Sequence, residues 1–110
     1  MPTPDDFFAI DLRIGTVLAA EPFPEARKPS IKLRIDFGPE LGERQTSAQL
    51  TRRYAPAELV GRQVVAVVNI GTRRIAGFTS EVLVLGGVPE EGDVVLLAPD
   101  AAVPNGTRVA

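Results

Sequence analysis

The sequence predicts an all-β protein, a small five-stranded barrel with short helices and extra elements at its ends. Three observations point there. Apolar residues alternate with polar ones in the period-two pattern of half-buried strands, most clearly where Ile31, Leu33, Ile35 and Phe37 interleave with Lys32, Arg34 and Asp36. The runs are short and are punctuated by Gly and Pro. A single helical stretch interrupts them, after the third run.

The elements follow in order. Thr3-Pro-Asp-Asp6 is a helix start: Thr3 can cap, Pro4 suits the first helical position, and two aspartates complement the helix dipole. From Asp11 to Ala20 the pattern switches to a strand, with Leu12, Ile14, Thr16 and Leu18 alternating with Arg13, Gly15 and Val17. Gly15 in mid-strand predicts a bulge or sharp coil, the device by which one strand serves two sheets. Glu21–Pro29 holds three prolines and is a loop. Ile31–Phe37 is the second strand, Gly38-Pro39 and Gly42 turn it, and Arg44–Gln49 returns as the third. Leu50–Tyr54 and Ala57–Val60 read as helical turns, interrupted by Pro56 and stopped by Gly61. Val64–Asn69 and Val82–Leu85 are buried strands. Gly86-Gly87 and Pro89–Gly92 turn the chain into Asp93–Ala98, and Pro104-Asn-Gly106 turns it into Thr107–Val109. A long coiled first strand and a helix between strands three and four are the plan of the Greek-key OB-fold barrel. Residues 1–110 are expected to form a single OB domain.

Composition narrows the chemistry. The 110 residues include neither Cys nor His, which excludes disulfides, thiolate nucleophiles, the serine triad and most transition-metal sites. No phosphate-cradling GxxxxGK[ST] loop occurs. The acidic residues at 21, 25, 40, 43, 90 and 91 all sit at predicted turns, where they serve solubility. No catalysis, cofactor or metal is expected. The acidic N-terminus and the lack of a long apolar run predict a cytoplasmic, soluble protein with no membrane insertion.

The net charge of −2 hides a segregation. Residues 1–43 sum to −3, residues 44–80 to +5 and residues 81–110 to −4. The basic block runs into the segment Asn69–Glu81, in which Arg73, Arg74 and Ile75 stand between Gly71 and Gly77 and Phe78 follows directly. A strand-to-strand connection needs neither a cationic pair nor an aromatic ring, so these residues are placed for a partner. OB barrels bind on the face of strands two and three, between the loops after strands one and four. Those loops offer Phe23, Arg27 and Lys28, and Arg73, Arg74, Ile75 and Phe78. The strand face is expected to present Lys32, Arg34, Arg44, Ser47 and Gln49. Such a surface suits a nucleic-acid backbone with a stacked base, or an extended peptide.

Asp11-Leu-Arg-Ile-Gly-Thr-Val, Arg44-Gln-Thr-Ser-Ala-Gln, Pro56-x-Glu-Leu-Val-Gly-Arg-Gln-Val-Val and Asn69-x-x-x-Arg-Arg-Ile-x-Gly-Phe-x-Ser-Glu resemble the EMAPII-type tRNA-binding OB-domain family. Phe23-Pro-Glu-Ala-Arg, Lys32-Leu-x-Ile-Asp-Phe-Gly, Ser47-Ala-Gln, Ile75-Ala-Gly-Phe-x-Ser-Glu-Val-Leu-Val-Leu-Gly-Gly and Pro104-Asn-Gly-Thr are most similar to its branch of bacterial protein-export chaperones. The resemblance runs from about Phe7 to the end. It implies a homodimer with terminal segments outside the barrel in contact. The apolar residues in excess of the barrel (Phe7, Phe8, Ile10, Val103 and Val109) predict that the contact uses the Pro4–Ile10 helix and the segment from about Pro99 to Ala110. The resemblance also implies a ligand site at Ser47, Gln49, Asn69, Arg73, Arg74, Ile75, Gly77, Phe78, Ser80 and Glu81. In the chaperone branch the ligand is an unfolded or signal-bearing preprotein, bound without ATP, with the Sec export machinery as a partner. In the wider family it is tRNA. Phe78 beside Ile75 is more apolar than a phosphate site requires, which favours polypeptide.

Overall fold

Local chemistry sets the first helix, α1 (Pro4–Phe8), in this computed structural model of Met1–Ala110. Thr3 N donates to Asp6 Oδ2 at 2.8 Å and Asp6 N donates back to Thr3 Oγ1 at 3.4 Å, closing a capping box. The helix ends before Ile10, two residues sooner than expected.

Strand β1 (Leu12–Pro22) is long because it serves two partners. Leu12–Thr16 pairs with β4 (Gln63–Val67), and Thr16–Pro22 pairs with β2 (Ile31–Asp36). The ladder shifts register between Val17 and Ala19, so the bulge lies at Leu18 and not at Gly15. Gly15 answers a different need: a Cβ there would stand 2.7 Å from Ile35 Cγ2 and 2.8 Å from Asp36 O. Phe37 is followed by one helical turn, α2 (Gly38–Leu41), where the sequence predicts only a turn. Strand β3 (Glu43–Ala48) then pairs with β2 throughout. Of the helical turns expected next, Leu50–Tyr54 is a hydrogen-bonded turn and α3 (Pro56–Leu59) is the helix.

The segment between the fourth and fifth barrel strands is more ordered than a loop. It folds as a hairpin of β5 (Arg73–Ile75) and β6 (Phe78–Ser80), with Ile75 opposite Phe78. Its two-residue turn, Ala76-Gly77, has φ of 48° and 81°, the mirror-image turn that matches strand twist and needs Gly at its second position. The fifth barrel strand, β7 (Leu83–Val84), pairs with β4. Gly86-Gly87, expected to turn, instead begins β8 (Gly86–Glu90), which pairs with β9 (Asp93–Leu96) outside the barrel. No Cβ fits at Gly86, where it would lie 2.6 Å from Val94 Cγ1.

The sheet order β3-β2-β1-β4-β7 closes on itself through a seam of backbone and side-chain hydrogen bonds. Glu81 N donates to Gln45 O at 2.8 Å, and Gln45 N donates to Glu81 Oε1 at 2.9 Å. Buried Thr46 meets Ser80 Oγ at 2.7 Å and donates to Val82 O at 2.7 Å. The result is a nearly closed antiparallel OB barrel. Val17, Ile31, Leu33, Ile35, Phe37, Val64, Ala66 and Val82 fill it, and Leu50 and Leu59 from the β3–β4 connection complete the core. Burying each of the larger of these groups contributes about 1.5–3 kcal/mol.

The C-terminal segment lies along β1, joined by one bridge between Arg13 and Arg108, so the expected strand Thr107–Val109 is not formed as such. Ile14 N donates to Thr107 O at 2.9 Å and Val109 N to Leu12 O at 2.9 Å. Gln63 bonds both backbone groups of Val103, giving Nε2 to its carbonyl at 2.7 Å and taking its N–H at 3.1 Å. No helix is long and apolar enough to cross a membrane.

Candidate functional site

Because β2 alternates, Ile31, Leu33 and Ile35 point into the barrel and leave Lys32 and Arg34 on the outer face. On β3 their cross-strand partners are Ser47 and Gln45. Arg44, opposite inward-facing Ile35, leaves this face and donates its Nε to Leu41 O at 3.2 Å, contrary to expectation. A cleft of about 380 Å³ opens over the face. Ala19, Ala20 and Leu33 supply its apolar lining, with Glu21, Lys32, Arg34 and Gln45 as polar groups and Phe78 at one side.

The two loops that flank the cleft meet through aromatic rings. Phe23, buried at 3% exposure, holds Phe78 edge-on with centroids 5.4 Å apart. Lys32 Nζ stands 4.6 Å from the Phe23 centroid and 5.0 Å from that of Phe78, so one ammonium faces both rings. Phe78 is therefore half-buried, its ring anchored beneath the hairpin and still bordering the cleft. Gln45 fastens the hairpin from the strand side, giving Nε2 to Thr79 O at 2.8 Å.

The residues expected at the site divide by role. Ile75, Gly77 and Phe78 build the hairpin tip, and Arg73 and Arg74 are exposed along it. Arg74 curls over its own turn, donating to Gly77 O at 3.2 Å and Thr79 Oγ1 at 3.4 Å. Ser80 and Glu81 lie in the barrel seam. Asn69 clasps the N-terminal segment, giving Nδ2 to Ala9 O at 2.9 Å and accepting Asp11 N at 2.8 Å. The hydrogen bonds of these three hold the fold. Ser47 shares the outer face with Lys32, and Gln49 is exposed beyond it. Sequence reasoning missed Gln45, Ala19 and Ala20. Strand parity could have placed Gln45 beside Ser47.

Charge across the cleft is mixed. Arg34 approaches Glu43 at 3.9 Å, and Glu21 is paired in register with Lys32. A two-pronged ion pair lies elsewhere: Arg53 grips Asp93 through Nε at 2.5 Å and a second nitrogen at 2.9 Å, joining the turn after β3 to the β8–β9 hairpin. These hydrogen bonds hold the Asp93 carboxyl below its usual range. No group of three or more metal-binding side chains converges.

The fold, the face and the motifs around it agree with a family model described as "Putative tRNA binding domain", which matches residues 12–108. The chain belongs to this tRNA-binding domain family. Among curated relatives, the methionine–tRNA ligase of Porphyromonas gingivalis is 38% identical over 105 residues, covering 96% of this chain and 15% of the ligase. The chain thus spans about 15% of the length of that ligase. Among solved structures, chaperone CsaA of Bacillus anthracis is 62% identical with a TM-score of 0.96, covering 100% of this chain and 99% of that one. The CsaA chaperone of Picrophilus torridus is 43% identical with a TM-score of 0.91, covering 100% of both chains. The likeness to CsaA chaperones within the EMAPII-type family is the one the motifs predict.

Proposed function

We propose that this protein is a non-catalytic, ATP-independent chaperone whose β2–β3 face binds unfolded or signal-bearing preprotein segments. It acts as a cytoplasmic homodimer beside the Sec export machinery. The observation that supports the ligand class is the make-up of the cleft. Small and aromatic side chains line it, its cations are partly engaged (Lys32 by two rings, Arg34 by Glu43), and Arg74 on the hairpin is engaged by its own turn. A phosphate track needs a row of free cations. An extended peptide needs apolar contact, main-chain partners such as Gln45 and Ser47, and a rim of either sign. The export setting follows the likeness to CsaA chaperones.

The homodimer is supported by exposed Phe7, Phe8 and Ile10 on and beside α1, with Leu83, Val95 and Leu97 exposed elsewhere. Val109 and Val103 belong to a tail bonded to its own protomer, so α1 is the stronger candidate for the contact.

A second reading, tRNA, is favoured by the family match and by Arg73, which is exposed and makes no ion pair. Alanine variants separate the two. Phe78→Ala should weaken preprotein binding more than Arg73→Ala with Arg74→Ala. The reverse order, for a barrel that still folds, would favour tRNA.

A further inference from the structure

We propose that Asn105 is a deamidation site that folding silences and unfolding releases, and that its conversion blocks re-docking of the C-terminal segment. The structure needs both residues of the Asn105-Gly106 pair. Gly106 has φ of 91°, and a Cβ on it would stand 2.5 Å from Phe37 O. The Asn105 amide joins three barrel strands: Oδ1 accepts Thr16 Oγ1 at 2.6 Å and Gln63 Nε2 at 3.2 Å, and Nδ2 donates to Asp36 Oδ2 at 3.3 Å. The fold therefore requires an asparagine followed by the one residue whose amide nitrogen no side chain shields.

In deamidation the Gly106 nitrogen loses its proton and bonds to Asn105 Cγ. The Cγ–Nδ2 bond breaks, ammonia leaves, and a cyclic imide remains. Water then opens the imide at either carbonyl, giving aspartate or isoaspartate at position 105. In the fold the nucleophile is engaged, because Gly106 N donates to Ile14 O at 2.7 Å. The side-chain carbonyl to be attacked is itself fixed by its hydrogen bonds from Thr16 and Gln63. Both restraints vanish when the segment leaves β1.

The product does not fit the seat it left. A carboxylate at 105 loses the donor to Asp36 and faces the Asp36 oxygen as a like charge. Isoaspartate also lengthens the main chain by a methylene beside the Phe37 carbonyl. Either change breaks the junction that, with the Gln63–Val103 pair, seats the tail.

The test incubates wild-type protein in mildly alkaline buffer, folded or in urea, and reads conversion at each asparagine by mass spectrometry. Asn69, followed by β-branched Ile70, is the internal control. Conversion of Asn105 should be on the order of a hundredfold or more slower in the folded protein, because access requires opening. Protein converted in urea should refold to a lower Tm than unconverted protein. Equal rates in the two states, or converted protein with an unchanged Tm, would overturn the proposal. Asn105→Asp should reproduce the lowered Tm, and adding Asp36→Asn should restore part of it. No recovery in the double variant would rule out the facing carboxylates as the cause.

Discussion

Lys32 lies where the two loops that flank the cleft converge, beside an aromatic ring from each. Its ammonium stands over the rings of Phe23 and Phe78 together. Phe78 therefore does two things at once: it fastens the hairpin to the barrel and borders the cleft. Because the ring is only half-buried, Phe78→Ala should cost about 1–2 kcal/mol of stability, from lost burial and the lost cation contact. Thermal or urea unfolding measures this. A fully buried aromatic would cost about 3–5 kcal/mol, and a loss of that size would show that Phe78 is a core plug instead. Thr46 is the residue on which closure turns, with its hydroxyl shared between Ser80 and the Val82 carbonyl. Thr46→Val keeps the shape but orphans that carbonyl, so a loss of about 1–3 kcal/mol is expected in urea unfolding.

At the scale of elements, the strands and the α3 turn were legible because period-two alternation and Pro or Gly boundaries are local signals. The bulge was misplaced by three residues because Gly15 marks a close approach of Ile35 and Phe37, a tertiary fact that mimics a bulge signature. The Asn69–Glu81 segment read as a loop because its strands span three residues each, too short to show alternation. Gly77, with its positive φ, was the available clue. Gly86-Gly87 read as a turn because small residues that allow close strand contact look like flexible ones. The β8–β9 hairpin is tied to the turn after β3 by Arg53 on Asp93 and by Arg52 on Glu90. Asp93 has a carboxyl held below its ordinary range in the fold, so its stabilising effect is complete at neutral pH. It is lost as pH falls below about 4, where the unfolded protein takes up the proton first. Asp93→Asn should lower Tm at neutral pH and flatten its decline in acid. An unchanged acid limb would remove Asp93 from that transition.

In the whole molecule the barrel is the frame, and the two loops that flank the cleft carry the proposed contact surface. The motif residues divided between these tasks in a way that spacing could not reveal: Asn69, Ser80 and Glu81 secure the frame, whereas Arg73, Ile75 and Phe78 face outward or border the cleft. The exposed phenylalanines of α1 are the contact through which the proposed homodimer would form. A homodimer predicts that sedimentation at micromolar concentration gives twice the mass of one protomer, and that Phe7→Ser with Phe8→Ser shifts it to the monomer. A monomeric wild type would end that part of the account.

The central claim is that the β2–β3 face takes polypeptide in preference to a phosphate backbone. It is tested most directly by titrating one preparation with a labelled unfolded preprotein and with labelled tRNA, each at two salt concentrations. Preprotein should bind the more tightly, with an affinity that changes little with salt. Tighter tRNA binding that falls steeply with salt, with a logarithmic slope near about −0.7 to −0.9 for each phosphate contacted, would contradict it.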